Sequence, residues 1–208
     1  MENMIEKSLA YLTTDSSPET MDDDWLTNLF HHARNTSDEV MQDTWARILA
    51  GEANTNGSYT KRTVNMMAEL EKSDAVLFSK LVDYCWNFNG DVPIVFDTDD
   101  DIYEKNGITF SKLNHLASIG LVTFETLAGY VQSQDGTGGK FECSYQGTNY
   151  TIQKPEGKES KVSIGKILFT QQGLELAQVC TRERIDSFEE YVIKKLESDG
   201  SIVNKAVI

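Results

Sequence analysis

Proline and cysteine are both scarce, three of each in 208 residues. So few prolines, beside 39% hydrophobic and 10% aromatic residues, exclude a largely disordered chain in spite of its charge. Cys85, Cys143 and Cys180 are odd in number and far apart, which fits neither a disulfide framework nor a CxxC metal site. Buried free thiols in a reducing cytoplasm are the expectation. Long apolar runs are missing too. Nothing approaches the roughly 18 consecutive apolar residues of a membrane span, and the opening MENMIEKSLAYL carries acids where a signal peptide carries bases. A soluble cytoplasmic protein with no membrane partner is expected. Positive charge is the last shortage: 33 acidic residues face 19 basic ones, a net charge of -14. Residues 1–108 hold 21 acids and 8 bases, whereas residues 109–208 hold 12 and 11. Such a surface repels phosphate, which disfavours nonspecific binding to nucleic acid or anionic membrane while leaving room for a local basic patch.

What the chain does have is helical period in its first part. Ile5, Leu9 and Leu12 mark one apolar face. Asp22, Asp23 and Asp24 stand before Trp25, Leu26, Leu29, Phe30 and Ala33, so the acidic triplet reads as a helix start. Thr36-Ser37-Asp38-Glu39 is a capping box ahead of Val40, Met41, Trp45, Ile48 and Leu49, in a helix expected to stop at Gly51. A loop over 52–60 leads to a helix with Val64, Met67 and Leu70, and another from Ser73 or Asp74 is expected to run to Phe88.

After Gly90 the pattern changes. Val92–Phe96 suits an edge strand, since its proline lacks a ladder donor. Thr109–Ile119 is a short helix ended by Gly120, and Leu121–Phe124 begins a strand. Alternation by twos then places Phe141, Cys143 and Tyr145, Tyr150 and Ile152, and Val162 and Ile164 on buried faces of a meander. Two helices follow, with Leu174, Leu176, Ala177 and Val179, and with Phe188, Tyr191, Val192 and Leu196. The fold class is therefore α+β: an N-terminal helical bundle over 1–72, then a winged helix-turn-helix-like domain over 73–198, then a frayed 199–208. In that reading Thr109–Ile119 takes the recognition-helix position and Tyr130–Lys161 forms an enlarged β wing.

The residues Asp22, Trp25, Met41, Gln42, Trp45, Ala46, Ile48, Leu49, Ala50, Gly51, Glu52, Arg62 and Thr63 make a D-x-x-W segment, an M-Q-x-x-W-A-x-I-L-A-G-E segment and an R-T pair. With a later G-L-V strand and T-x-x-G-x-E-L helix, the chain over about 20–190 resembles an uncharacterised bacterial family found among bacterial and phage-associated genes. The resemblance implies a compact C-terminal region and no particular activity.

The polar clusters are the candidates for chemistry. Asp97, Asp99, Asp100, Asp101 and Glu104 offer oxygen ligands for Ca²⁺ or Mg²⁺, but Ile102 stands where an EF-hand needs glycine and Ile108 where it needs glutamate. A solvated loop or helix start is the reading. His31 and His32 are adjacent and point about 100° apart on a helix, so they form no i, i+4 ligand pair. Trp25, Trp45 and the methionines fall on apolar helix faces and read as packing residues. Arg47, Glu52 and Arg62 surround a helix-to-helix turn, and a Glu52–Arg62 ion pair is expected to fix it. No P-loop, G-x-G-x-x-G, G-x-S-x-G or zinc pattern occurs, so no catalytic residue, cofactor, metal or small-molecule substrate is assigned.

Two functional readings follow, with a third behind them. The first is a non-enzymatic protein-interaction or regulatory module that binds a protein partner or itself, with Trp25, Trp45, Arg47, Glu52 and Arg62 as structural or interaction candidates. The second is a sequence-specific DNA-binding regulator. It uses Lys112, Asn114 and His115 on the recognition helix and Lys140, Lys154, Lys158 and Lys161 on the wing. DNA is disfavoured because no arginine occurs between Arg62 and Arg182. The third is a component of a phage-defence system whose enzymatic activity has no local signature.

Overall fold

The computed structural model describes residues 2–206. In chain order the elements are α1 (Glu2–Leu9), a 3-10 turn (Pro18–Thr20), α2 (Asp23–Ala33), α3 (Glu39–Asn54), α4 (Lys61–Glu69), α5 (Lys72–Val82), β1 (Cys85–Asn87) and β2 (Asp91–Pro93). There follow α6 (Asp101–Glu104), α7 (Phe110–Ser118), β3 (Val122–Phe124), β4 (Tyr130–Thr137), β5 (Lys140–Tyr145), β6 (Thr148–Gln153) and β7 (Glu159–Gly165). The last are β8 (Ile167–Phe169), α8 (Gln171–Ala177), α9 (Asp186–Glu197) and β9 (Ile202–Lys205). The architecture is α+β, and every strand pair within the sheets is antiparallel.

The described chain forms two compact units. One runs through Val76 and includes Gln171–Thr181; the other is Leu77–Thr170 with the described residues from Arg182 onward. A boundary at 72 followed by one continuous second domain is therefore corrected in one respect, because α8 belongs with the first unit. The physical reason is a buried carboxylate on α8, described below.

In the first unit α1 packs on α3, α2 on α4, and α4 on α8. The Asp22 carboxylate accepts from the Trp25 amide and starts α2, as the acidic triplet predicts. The cap of α3 differs from expectation: Asp38 accepts from the amides of Val40 and Met41. Thr36 is free for another task, its hydroxyl accepting from Trp45 Nε1. Helix α3 also runs past Gly51 to Asn54. On α1 the buried line is Met4 and Ser8, while Ile5 and Leu9 are 42% and 63% exposed. The expected Ile5–Leu9 face is thus turned outward, because Tyr11 and Thr13 just beyond the helix are tied to α3 through Asp43 and Asn54.

The second unit holds a five-stranded sheet in the order β2-β1-β5-β6-β9, with β3-β8 and β4-β7 as two-stranded sheets. The helix expected to continue to Phe88 ends at Val82, and Cys85–Asn87 is a strand paired with β2. Its apolar residues pair across strands: Trp86 lies opposite Val92 in register, and its ring stacks on Tyr145. β2, with Pro93, is an edge strand as its proline predicts. Phe141, Cys143, Tyr145, Tyr150, Ile152, Val162 and Ile164 are all buried, as the alternation requires. The β5–β6 turn is Gln146-Gly147, with φ of 46° and 80°, the two positive values of a type I′ hairpin. Gly165 has φ of 89°, and a Cβ there would lie 2.6 Å from the Val95 carbonyl oxygen, so only glycine permits the Val95–Gly165 bridge. The core is aromatic: Tyr84, Trp86, Tyr103, Tyr145, Tyr150 and Phe188 are nearly or wholly buried.

The expectation of fraying past 199 is corrected as well. Ile202–Lys205 pairs with β6 over four registered positions, because Asp199 is anchored and sets the next residues against that strand. Positions 207 and 208 of that expectation lie outside the described residues.

Candidate functional site

The polar convergence of the first unit is the turn from α3 to α4. Gly51 lies inside α3, where a Cβ would come within 2.6 Å of the Tyr59 ring, so the missing side chain lets the turn fold onto the helix. Glu52, 3% exposed, accepts from the amides of Gly57 at 2.7 Å and Tyr59 at 2.9 Å. Trp25 Nε1 donates to the Tyr59 carbonyl at 2.7 Å. Glu175 of α8 completes the cluster, accepting from the Thr60 amide at 2.7 Å, the Thr63 hydroxyl at 2.6 Å and Gln171 Nε2 at 3.0 Å. A carboxylate distant in sequence therefore sits at the N-terminus of α4, where open amides and the helix dipole favour negative charge. Burial, with the Glu175 and Glu52 charges, pushes the Tyr59 hydroxyl up to about 12. This arrangement fixes a backbone.

The expected Glu52–Arg62 ion pair does not form. Both Glu52 oxygens are taken by backbone amides, and Arg62 is exposed on α4. Arg47 pairs with Asp43 at 2.8 Å and lies over the Tyr11 ring, whose hydroxyl donates to Asp43. Burial opposes the charge on Asp43, but the bonds from Tyr11 and Arg47 hold it below the usual carboxylate range. Trp25 and Trp45 are buried at 4% and 1%. Sequence reasoning missed Tyr59 and Glu175. The E-L at the end of the T-x-x-G-x-E-L phrase was visible, but nothing local says that its glutamate caps a helix 112 residues earlier.

In the second unit Lys112, Asn114 and His115 are exposed on α7, and Lys112 Nζ donates to the Gly107 carbonyl at 2.9 Å. The wing lysines are engaged locally. Lys140 lies 3.7 Å from Glu142 and Lys161 2.8 Å from Glu159, and Lys158 donates to the Asp199 carbonyl. Lys154 is corrected as a surface candidate: it is 5% exposed and pairs with Asp199 at 2.6 Å, since β6 carries it under the turn after α9. Burial opposes the Asp199 charge, yet Lys154 and Ser201 hold its carboxyl below the usual range. Asp91 behaves alike. Burial opposes its charge, and a bidentate Arg182 guanidinium outweighs that and lowers it. The Asp97–Glu104 run folds as a helix start, with Asp101–Glu104 forming α6. Asp100 accepts from Tyr191, which chiefly lowers its pKa, and from Lys195 at 3.0 Å. Among the described residues no group of three or more His, Cys, Asp or Glu side chains gathers as a metal site.

Two surface features remain. Phe110 at the start of α7 is 52% exposed and packs its ring 5.3 Å from Phe124; Leu127 between β3 and β4 and Val131 in β4 are 90% and 52% exposed. On the outward side of the five-stranded sheet an open cavity of about 490 Å³ is lined by Asn87, Glu142, Ser144, Asn149 and Thr151, short polar groups typical of a solvated sheet face.

A buried carboxylate clasp among helices, and antiparallel sheets around an aromatic core, define an α+β protein. Its sequence matches the family described as protein of unknown function (DUF2806) over residues 1–193, and the chain belongs to that family. No curated protein and no solved structure matches it. No helix of the described residues is long and apolar enough to cross a membrane.

Proposed function

We propose that the protein is a non-enzymatic interaction module made of an N-terminal helical bundle and a winged helix-like unit whose α7 and β3–β4 surface receives a protein partner. The observation that carries it is the exposed apolar set Phe110, Leu127 and Val131, with half-buried Phe124 against Phe110, at the position where a DNA-reading domain presents cations. The element order from α5 through β3 and the β4–β7 ribbon supports the winged-helix reading. Local engagement of the wing lysines supports protein over DNA, because a paired lysine releases fewer counterions on meeting phosphate. The DNA-binding reading keeps the exposed Lys112, Asn114 and His115 in its favour. The partner is sought among the products of neighbouring genes, in keeping with the phage-associated setting that the resemblance implies.

The test pairs two measurements. The Phe110→Ser, Leu127→Ser double variant should keep its melting temperature and lose capture of a neighbouring gene product that the wild type retains. A mobility shift of native genomic fragments at low salt, abolished by Lys112→Glu and untouched by the double variant, would replace the proposal with the DNA reading.

A further inference from the structure

Among the described residues, the outer edge of β6 is covered by β9. Lys205, Asn204, Val203 and Ile202 stand opposite Tyr150, Thr151, Ile152 and Gln153, and the Ala206 amide donates to the Asn149 carbonyl at 2.9 Å. That backbone ladder is most of what holds β9. Val203 is half-buried, Ile202 is 60% exposed, and Asn204 and Lys205 are exposed. Lys205 adds side-chain ties, its Nζ lying 3.2 Å from the Glu189 carboxylate and 5.8 Å from the centre of the Tyr150 ring. A strand held by pairing with so little apolar burial lies at the low-stability end of a fold.

The strand it covers is of another kind. Tyr150 and Ile152 of β6 are 2% and 0% exposed, and the Tyr150 hydroxyl donates to Glu189, which also meets Arg184. The edge is therefore built into the core and keeps its shape without β9. Without β9, the outer ladder of β6 stands unpaired. An unpaired ladder is a template for another strand.

We propose that the β6 edge is a strand-accepting docking site and that β9 is its built-in occupant, which an extended segment of a partner protein displaces. The contacts of β9 specify that segment. The place of Val203, opposite buried Ile152, takes a β-branched or aromatic side chain. The place of Lys205, opposite Tyr150, takes a cation to meet Glu189. Release starts at Gly200, whose φ of 90° forms the turn, because Asp199 just before it stays anchored to buried Lys154. The proposal uses residues other than the Phe110 set, so either can fail without the other.

The experiment uses the full chain and a fluorescein-labelled peptide, Gly-Ser-Ile-Val-Asn-Lys-Ala, the sequence of residues 200–206. Val203→Asp removes the one half-buried side chain of β9; Lys205→Glu, an exposed substitution, serves where the first variant does not fold. Fluorescence anisotropy should give binding at least tenfold tighter to the released variant than to wild type. Replacing the peptide valine with aspartate or its lysine with glutamate should abolish it. Hydrogen exchange of the wild type should show β9 amides opening well before those of the β5–β6 ladder. Equal protection of β9 and β5–β6, or no saturable peptide binding by either variant, overturns the proposal. Dimers of the wild type that the peptide disperses would assign the edge to a second copy and overturn the partner-protein reading.

Discussion

Gly51 and Glu52 are neighbours in α3 that serve the same turn by opposite means, one by lacking a side chain and the other by burying a charged one. A carboxylate at 3% exposure without a cation is tolerable only because two amides reach it, Gly57 and Tyr59. Glu52→Ala should therefore cost about 2–4 kcal/mol, leaving two inward amides without acceptors. Arg62→Ala, on the exposed side of α4, should leave urea stability within about 0.5 kcal/mol. Equal losses for the two in parallel urea titrations would restore the ion pair. The sequence showed that a glutamate and a turn belonged together. It pointed to the wrong partner, because an arginine is visible in a sequence and an inward-facing amide is not.

At the level of elements, β2 and the turn that precedes β9 are held by ion pairs whose carboxylates are held low, Asp91 with Arg182 and Asp199 with Lys154. A folded pKa below the ordinary 3.8 means that the stabilisation is present above that value and is lost as pH falls through the lower folded value. Asp83 has the opposite sign. Burial raises its carboxyl, so its contribution favours the fold at low pH and fades as pH rises through the raised value. Asp91→Asn should lower stability at pH 7 by about 1.5 kcal/mol, discounted for partial exposure, and flatten the acid limb of the stability curve below pH 4. Denaturant titrations between pH 7 and 2 decide it; a parallel, merely displaced acid limb in the variant would rule out Asp91 as the titrating group. Most elements were legible because period and caps agree, as in α2, α7 and the β5–β6 hairpin. Those misread, Cys85–Asn87 and Ile202–Lys205, are short strands whose identity comes from partners at a distance in sequence.

For the whole molecule, the charge contrast between sequence halves becomes gentler once the acidic stretch 77–108 is counted with the second unit. That unit carries 15 acids and 6 bases, net -9, and the second 18 and 13, net -5. Both remain acidic, so the wing is no basic counterpart to an acidic helical part, and long-range steering toward DNA is weak. Glu175→Ala should uncouple α8 from α4 at a cost of about 2–4 kcal/mol, with the Thr60 amide and Thr63 hydroxyl losing their acceptor. Amide exchange should then rise in α4 and α8 before it rises in β5 and β6; a uniform rise across both units would show that Glu175 is no local clasp. The α8 assignment also bears on how the protein is made. During synthesis the first 76 residues emerge long before Glu175, and the helix it caps must wait for some 100 further residues, a closure whose entropic cost grows slowly with length but which delays completion. The N-terminal part is thus finished only after most of the second unit has been translated, and a nascent chain halted near residue 100 should present α4 with its first turn still open to water or to a chaperone.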